Sequence, residues 1–70
     1  MNQEAAQLVK MANQIADNFS YHEDAADRIR EHLQRFWAPS MRRLIKQHLA
    51  AGESGLRASA VEAVQGLETD

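Results

Sequence analysis

Pro39 is the only proline in this chain of 70 residues, and it stands two positions after the only tryptophan, Trp37, at the head of a run dense in arginine and lysine. Proline has no N–H with which to continue a helix, and it biases the residue before it, here Ala38, away from helical backbone. A helix arriving from the N-terminal side must therefore stop near Phe36 or Trp37. The same proline suits the first position of a new helix, where its N–H would lack a partner in any case. The chain is thus cut into two halves that turn at one rigid corner.

Both halves carry helical periodicity. Leu8, Met11, Ala12, Ile15, Ala16 and Phe19 recur at spacings of three and four, with Gln7, Lys10, Gln14 and Asp17 opposite, which predicts a helix over residues 2–19. Ser20 followed by Glu23 is a capping-box pattern, and it predicts a second helix over 21–36. Glu23, Asp24 and Asp27 suit the positive end of that helix's dipole, while Arg30 and Arg35 fall towards its negative end. Its apolar stripe is Ala25, Ala26, Ile29, Leu33 and either Phe36 or Trp37; the last two lie about 100° apart around a helix, so one of them points outward. Beyond the corner, Met41, Leu44, Ile45 and Leu49 predict a third helix over 39–51 that stops near Gly52 in a left-handed conformation. "AGESG" reads as a loop, and Leu56, Val61, Val64 and Leu67 suggest a weaker fourth helix over 58–67, with "LETD" ready to fray. No segment alternates with the period of a strand. The expected fold is all-α: a small antiparallel bundle of three to four short helices in a single domain, residues 1–70.

Such a bundle has a thin core. Twelve residues are Ala, which favours helix but buries little area, and a core of this size rarely supplies more than roughly 3–5 kcal/mol. The chain has no Cys for a disulfide, and no Cys/His spacing of a structural zinc site. A partner is the remaining aid. No run approaches the roughly 18 apolar residues of a membrane span, and the polar N-terminus lacks the pattern of a secretory signal, so the cytoplasm is the expected compartment.

Catalytic chemistry finds little to work with. The serines sit in cap or loop positions, and no base is placed to activate them. His22, His32 and His48 are too dispersed to read as ligands; His32 and His48 could share a metal only by facing each other across the second corner, and solvated or partner-facing histidines are the commoner case. His22, near a helix start, is expected to be exposed. "GESG" lacks the lysine and the preceding strand of a phosphate loop. Arg42, Arg43 and Lys46 predict a positive outer stripe on the third helix, joined by Arg35 and Arg30 near its start. Helix, corner, helix is superficially a helix-turn-helix, but Pro-Ser-Met is a poor start for a base-reading helix, and the net charge of −2 is not that of a nucleic-acid binder.

Three stretches resemble one family: "LVKMANQIADNF" (Leu8 to Phe19), "HLQRFWAPSMRRLIKQHLAAGESGL" (His32 to Leu56) and "AVEAVQGL" (Ala60 to Leu67). In this order and chain length they resemble the small delta subunit of cytoplasmic, NAD-dependent, molybdenum- or tungsten-containing formate dehydrogenases. Two positions depart from that pattern: Ala38 stands where Asp is common before the proline, and Ala58 where a proline often follows Gly-Leu-x. Both leave a helix start without its usual residue.

The resemblance implies a non-catalytic accessory subunit of an alpha-beta-gamma-delta complex. It implies that the alpha subunit carries the molybdopterin guanine dinucleotide centre and iron–sulfur clusters, that this chain binds no cofactor or metal itself, and that it supports assembly, cofactor insertion or stability of that subunit. It also points to an interface cluster of Arg35, Phe36, Trp37, Pro39, Met41 and Arg42, since aromatic and arginine side chains dominate binding hot spots, with Asn13 and Gln14 contributing from the first helix. Trp37 and Met41 could equally fill the core beneath the corner. A transient maturation chaperone for the catalytic subunit and a small nucleic-acid-binding regulator are the alternative readings, and self-association of the isolated chain stays open.

Overall fold

A computed structural model of the chain describes residues 3–52 and 55–68. Among them run α1 (Gln3–Asn18), α2 (Ala25–Phe36), α3 (Pro39–Ala50) and α4 (Ala58–Gln65), and no strand. The fold is all-α, as the periodicity predicts.

The second helix begins later than its capping-box signal suggests. Phe19 N–H still donates to Ile15 and Ala16, Ser20 N–H to Asp17, and His22 N–H to Phe19, so the backbone is finishing α1 where Ser20 was expected to cap α2. Asp24 takes the N-cap position instead, without a side-chain cap bond. Its carboxylate accepts from Arg28 Nε at 2.8 Å, one turn into the helix.

The Pro39 corner forms as expected. Trp37 closes α2 with its N–H on Leu33 O and leaves the helix at ψ 140°, Ala38 is extended at φ −65° and ψ 152°, and Pro39 opens α3. Ala38 has no side-chain oxygen to cap α3, so its carbonyl serves the N–H groups of Met41 and Arg42. At the far end Gly52 has φ +82°, the left-handed residue expected there. Glu53 and Ser54 of the expected loop lie outside the described residues, as do Thr69 and Asp70 of the expected frayed end. Leu67, by contrast, is buried.

The core contains the fully buried side chains of Ile29, Leu33, Ile45 and Val64, together with Leu8, Trp37 and Leu67. Buried alanines (Ala12 and Ala16 of α1, Ala60 and Ala63 of α4) let helices approach closely. α4 packs chiefly on α2, and α1 on α3; the consecutive helices α2 and α3 share few direct contacts. The buried line of α3 is rotated from the expected one. Arg42, Ile45 and His48 are its buried residues, while Met41, Leu44 and Leu49 flank the core half-buried.

Candidate functional site

Arg42 shows why α3 is turned this way. The last carbonyls of a helix have no intrahelical partner and carry the negative end of its dipole. Arg42 is 6% exposed, and it donates to Trp37 O, to Gln34 O at 3.3 Å and to Glu68 O at 2.9 Å. One turn on, Lys46 Nζ donates to Leu67 O at 2.5 Å. The end of α2 and the chain just after α4 thus converge on two cations of α3. Of the expected outer stripe, Arg42 turns inside and Lys46 is half-buried, while Arg43, Arg35 and Arg30 stay exposed.

Two amide side chains hold α4 at its ends. Before it, Asn13 Nδ2 donates to Gly55 O at 2.7 Å and Asn13 Oδ1 accepts from Arg57 N–H at 2.8 Å. After it, Gln34 Nε2 donates to Glu68 O at 3.2 Å and Gln34 Oε1 accepts from Glu68 N–H at 3.0 Å. Each amide copies a peptide group and satisfies one donor and one acceptor of the chain it holds. The Arg57 guanidinium also forks onto Asp17 of α1, at 2.5 and 3.1 Å. These contacts fix the chain that enters α4, whose N-cap residue Arg57 makes no side-chain cap bond.

A different surface is left open. Trp37 turns inward at 5% exposure, so its neighbour Phe36 turns outward at 69%. His32, one turn before Phe36 on the same face, stacks its ring 4.8 Å away at a tilt of 46°. Phe19, at the end of α1, meets His32 edge-on at 6.4 Å and His22 at 5.9 Å, and His22 meets the exposed Tyr21 at 4.8 Å. The aromatic rings form one continuous row over the α1–α2 corner. Beside them Phe19, Arg28, Glu31, His32, Arg35 and Phe36 line a shallow open groove of about 190 Å³. The Arg35 guanidinium lies 6.0 Å from the Phe36 ring centre, at the reach of a cation–π contact, with Glu31 3.7 Å away. On the groove's far side the Arg28 hydrogen bond holds the Asp24 carboxyl below its ordinary pKa. A second groove, of about 290 Å³ and lined by Lys46, Leu49, Ala50, Val64 and Gln65, lacks aromatic walls, and its cation already serves Leu67.

The structure separates the residues expected at an interface. Asn13, Trp37 and Arg42 are committed to internal contacts, and Met41 packs half-buried against the core. Gln14, Arg35, Phe36 and Pro39 remain exposed, but only Arg35 and Phe36 belong to the aromatic corner. His22 is half-buried rather than exposed, and His48 lies inside the fold rather than in solvent. Phe19 enters the sequence reading only as a stripe residue of the first helix and His32 only as a solvated or partner-facing histidine, while Tyr21 and the clamp residue Gln34 do not enter it at all. The four-residue spacing of His32 and Phe36, off the apolar stripe, was the available signal.

Among the described residues no three His, Cys, Asp or Glu gather as a metal site, and none of the helices is long and apolar enough to cross a membrane. A small helical fold whose open feature is an aromatic and arginine-edged corner has the character of an interaction module. The family model for the NADH-dependent formate dehydrogenase delta subunit, FdsD, matches residues 7–64, and the chain belongs to that family. It is accordingly an accessory subunit of formate dehydrogenase. No curated protein and no solved structure matches it.

Proposed function

We propose that this chain binds the catalytic alpha subunit within a cytoplasmic alpha-beta-gamma-delta formate dehydrogenase complex, and that it supports that subunit's assembly, cofactor insertion or stability. The observation that carries the reading is the solvent exposure of Tyr21 and Phe36, 82% and 69%, on a chain of this family whose other large apolar groups, among the described residues, are buried or half-buried. Contiguous exposed aromatic surface marks interaction sites. The molybdopterin guanine dinucleotide and iron–sulfur centres belong, in this reading, to the alpha subunit. The chain has no Cys, the usual ligand of an iron–sulfur cluster. Its contribution is a surface.

The test is the enzyme complex purified with and without this chain, assayed for formate-dependent NAD reduction and for metal and pterin content. Loss of activity together with cofactor supports a role in insertion or retention of the centre. Retained cofactor with faster thermal inactivation supports a structural role, and full activity, loading and thermal stability would refute the proposal. One copy of the chain retained in each purified complex separates a resident subunit from a chaperone that departs.

A further inference from the structure

The aromatic corner has walls, an edge and a charge, and together they define what fits it. Resting on the reading that this chain binds the catalytic subunit, we propose that the groove between Phe19, His32 and Phe36 receives a segment of that subunit carrying one bulky apolar side chain beside a carboxylate. The walls come from the ring row, in which His32 bridges Phe19 and Phe36 at 6.4 and 4.8 Å. A groove of about 190 Å³ has room for about one large side chain rather than for a cofactor.

The edge sets the sign of the partner. Arg28 and Arg35 are the cations that line the groove, and Glu31 is the carboxylate among its lining residues. Arg28 already has Asp24 on its Nε at 2.8 Å. Arg35 is held more loosely: Glu31 lies at 3.7 Å, beyond hydrogen-bond length, and both side chains are about 70% exposed. Such a pair contributes little to stability, so exchanging it for a partner carboxylate costs little. The guanidinium offers a planar fork that matches a carboxylate, and its contact with Phe36 strengthens as docking excludes water.

The same charges argue against other occupants. A phosphate backbone would meet Asp24, Asp27 and Glu31 beside the arginines. A single carboxylate beside an apolar anchor asks only the loosely held Arg35 to change partners.

Affinity of the full chain for the isolated catalytic subunit, measured by calorimetry at two salt concentrations, tests this. Phe36→Ala and Arg35→Glu should each weaken binding by at least about tenfold, the range of interface hot spots, while Arg43→Glu, an exposed cation outside the groove, should leave it within about twofold. Both groove side chains are exposed, so circular dichroism should show all three variants folded as wild type. Wild-type affinity in Phe36→Ala and Arg35→Glu, with the unmodified chain binding normally, overturns the groove and leaves the subunit reading standing. So does an equal loss in Arg43→Glu, or a wild-type dimer that Phe36→Ala dissociates without touching subunit binding. Failure of the unmodified chain to bind overturns both.

Discussion

Replacing Arg42 by Met keeps most of the side chain's apolar stem and removes every donor, leaving the carbonyls of Trp37, Gln34 and Glu68 facing an aliphatic chain. The bond to Trp37 O is buried, and a buried hydrogen bond to a charged group is worth about 2–3 kcal/mol. The bonds to Gln34 O and Glu68 O are partly solvated and contribute about 0.5–1 kcal/mol each. The expected loss is about 3–5 kcal/mol, in keeping with the cost of removing one partner of a buried charged contact. At roughly 0.05–0.15 kcal/mol per residue, this is between about a third and all of what a chain of 70 residues has to lose. Urea unfolding followed by circular dichroism and tryptophan emission measures it directly, and the thermal midpoint should fall by on the order of 15–30 °C. Arg42→Lys keeps the charge but not the fork, so it should lose about half as much. An Arg42→Met chain within about 0.5 kcal/mol of wild type would show that the converging segments do not depend on this cation.

The amide clamps predict local effects: Asn13→Ala and Gln34→Ala should each cost about 1 kcal/mol, and amide hydrogen exchange should quicken in α4 more than in α2 or α3. Equal acceleration across all helices would refute the assignment. The Asp24–Arg28 pair predicts a pH dependence whose sign follows from the depressed carboxyl pKa. A group whose pKa is lower folded than unfolded stabilises fully above about pH 4 and loses that contribution as pH falls through the folded value. NMR titration of the Asp24 carboxyl should therefore show its pKa rising in Arg28→Gln, and an unchanged titration would exclude Arg28 as the cause.

Much of this fold is written in local pattern. α1, the Pro39 corner and the stop at Gly52 follow from spacing and backbone chemistry that act within a few residues. The start of α2 does not, because Ser20 is already engaged by its N–H in finishing α1, a competition invisible to a motif that looks only forward. The inward face of α3 was misplaced for a different reason. Pattern reading sends arginine outward, since an arginine is seldom buried without partners, and Arg42 has its partners only because the end of α2 and the chain just after α4 arrive beside it in space. The same long-range placement hid the clamps. Asn13 reaches residues 42 and 44 positions away, and nothing in its own helix signals that. At the candidate site, adjacency alone showed that Phe36 and Trp37 must point apart. Which one turned outward was decided by Trp37 continuing the line of Ile29 and Leu33, each four residues before the next.

That division leaves the molecule with two optical probes that watch different events. Trp37, its sole tryptophan, lies inside, and Tyr21, its sole tyrosine, stands in solvent 4.8 Å from His22 at the corner. Tryptophan emission should shift to the red only when the interior opens to water. Tyrosine absorbance should respond to whatever settles over the corner while the interior stays closed. A titration that moves the tyrosine signal and leaves the tryptophan signal fixed is a surface event, and one that moves both is the opening of the chain, so docking and unfolding can be told apart in a single cuvette without a label.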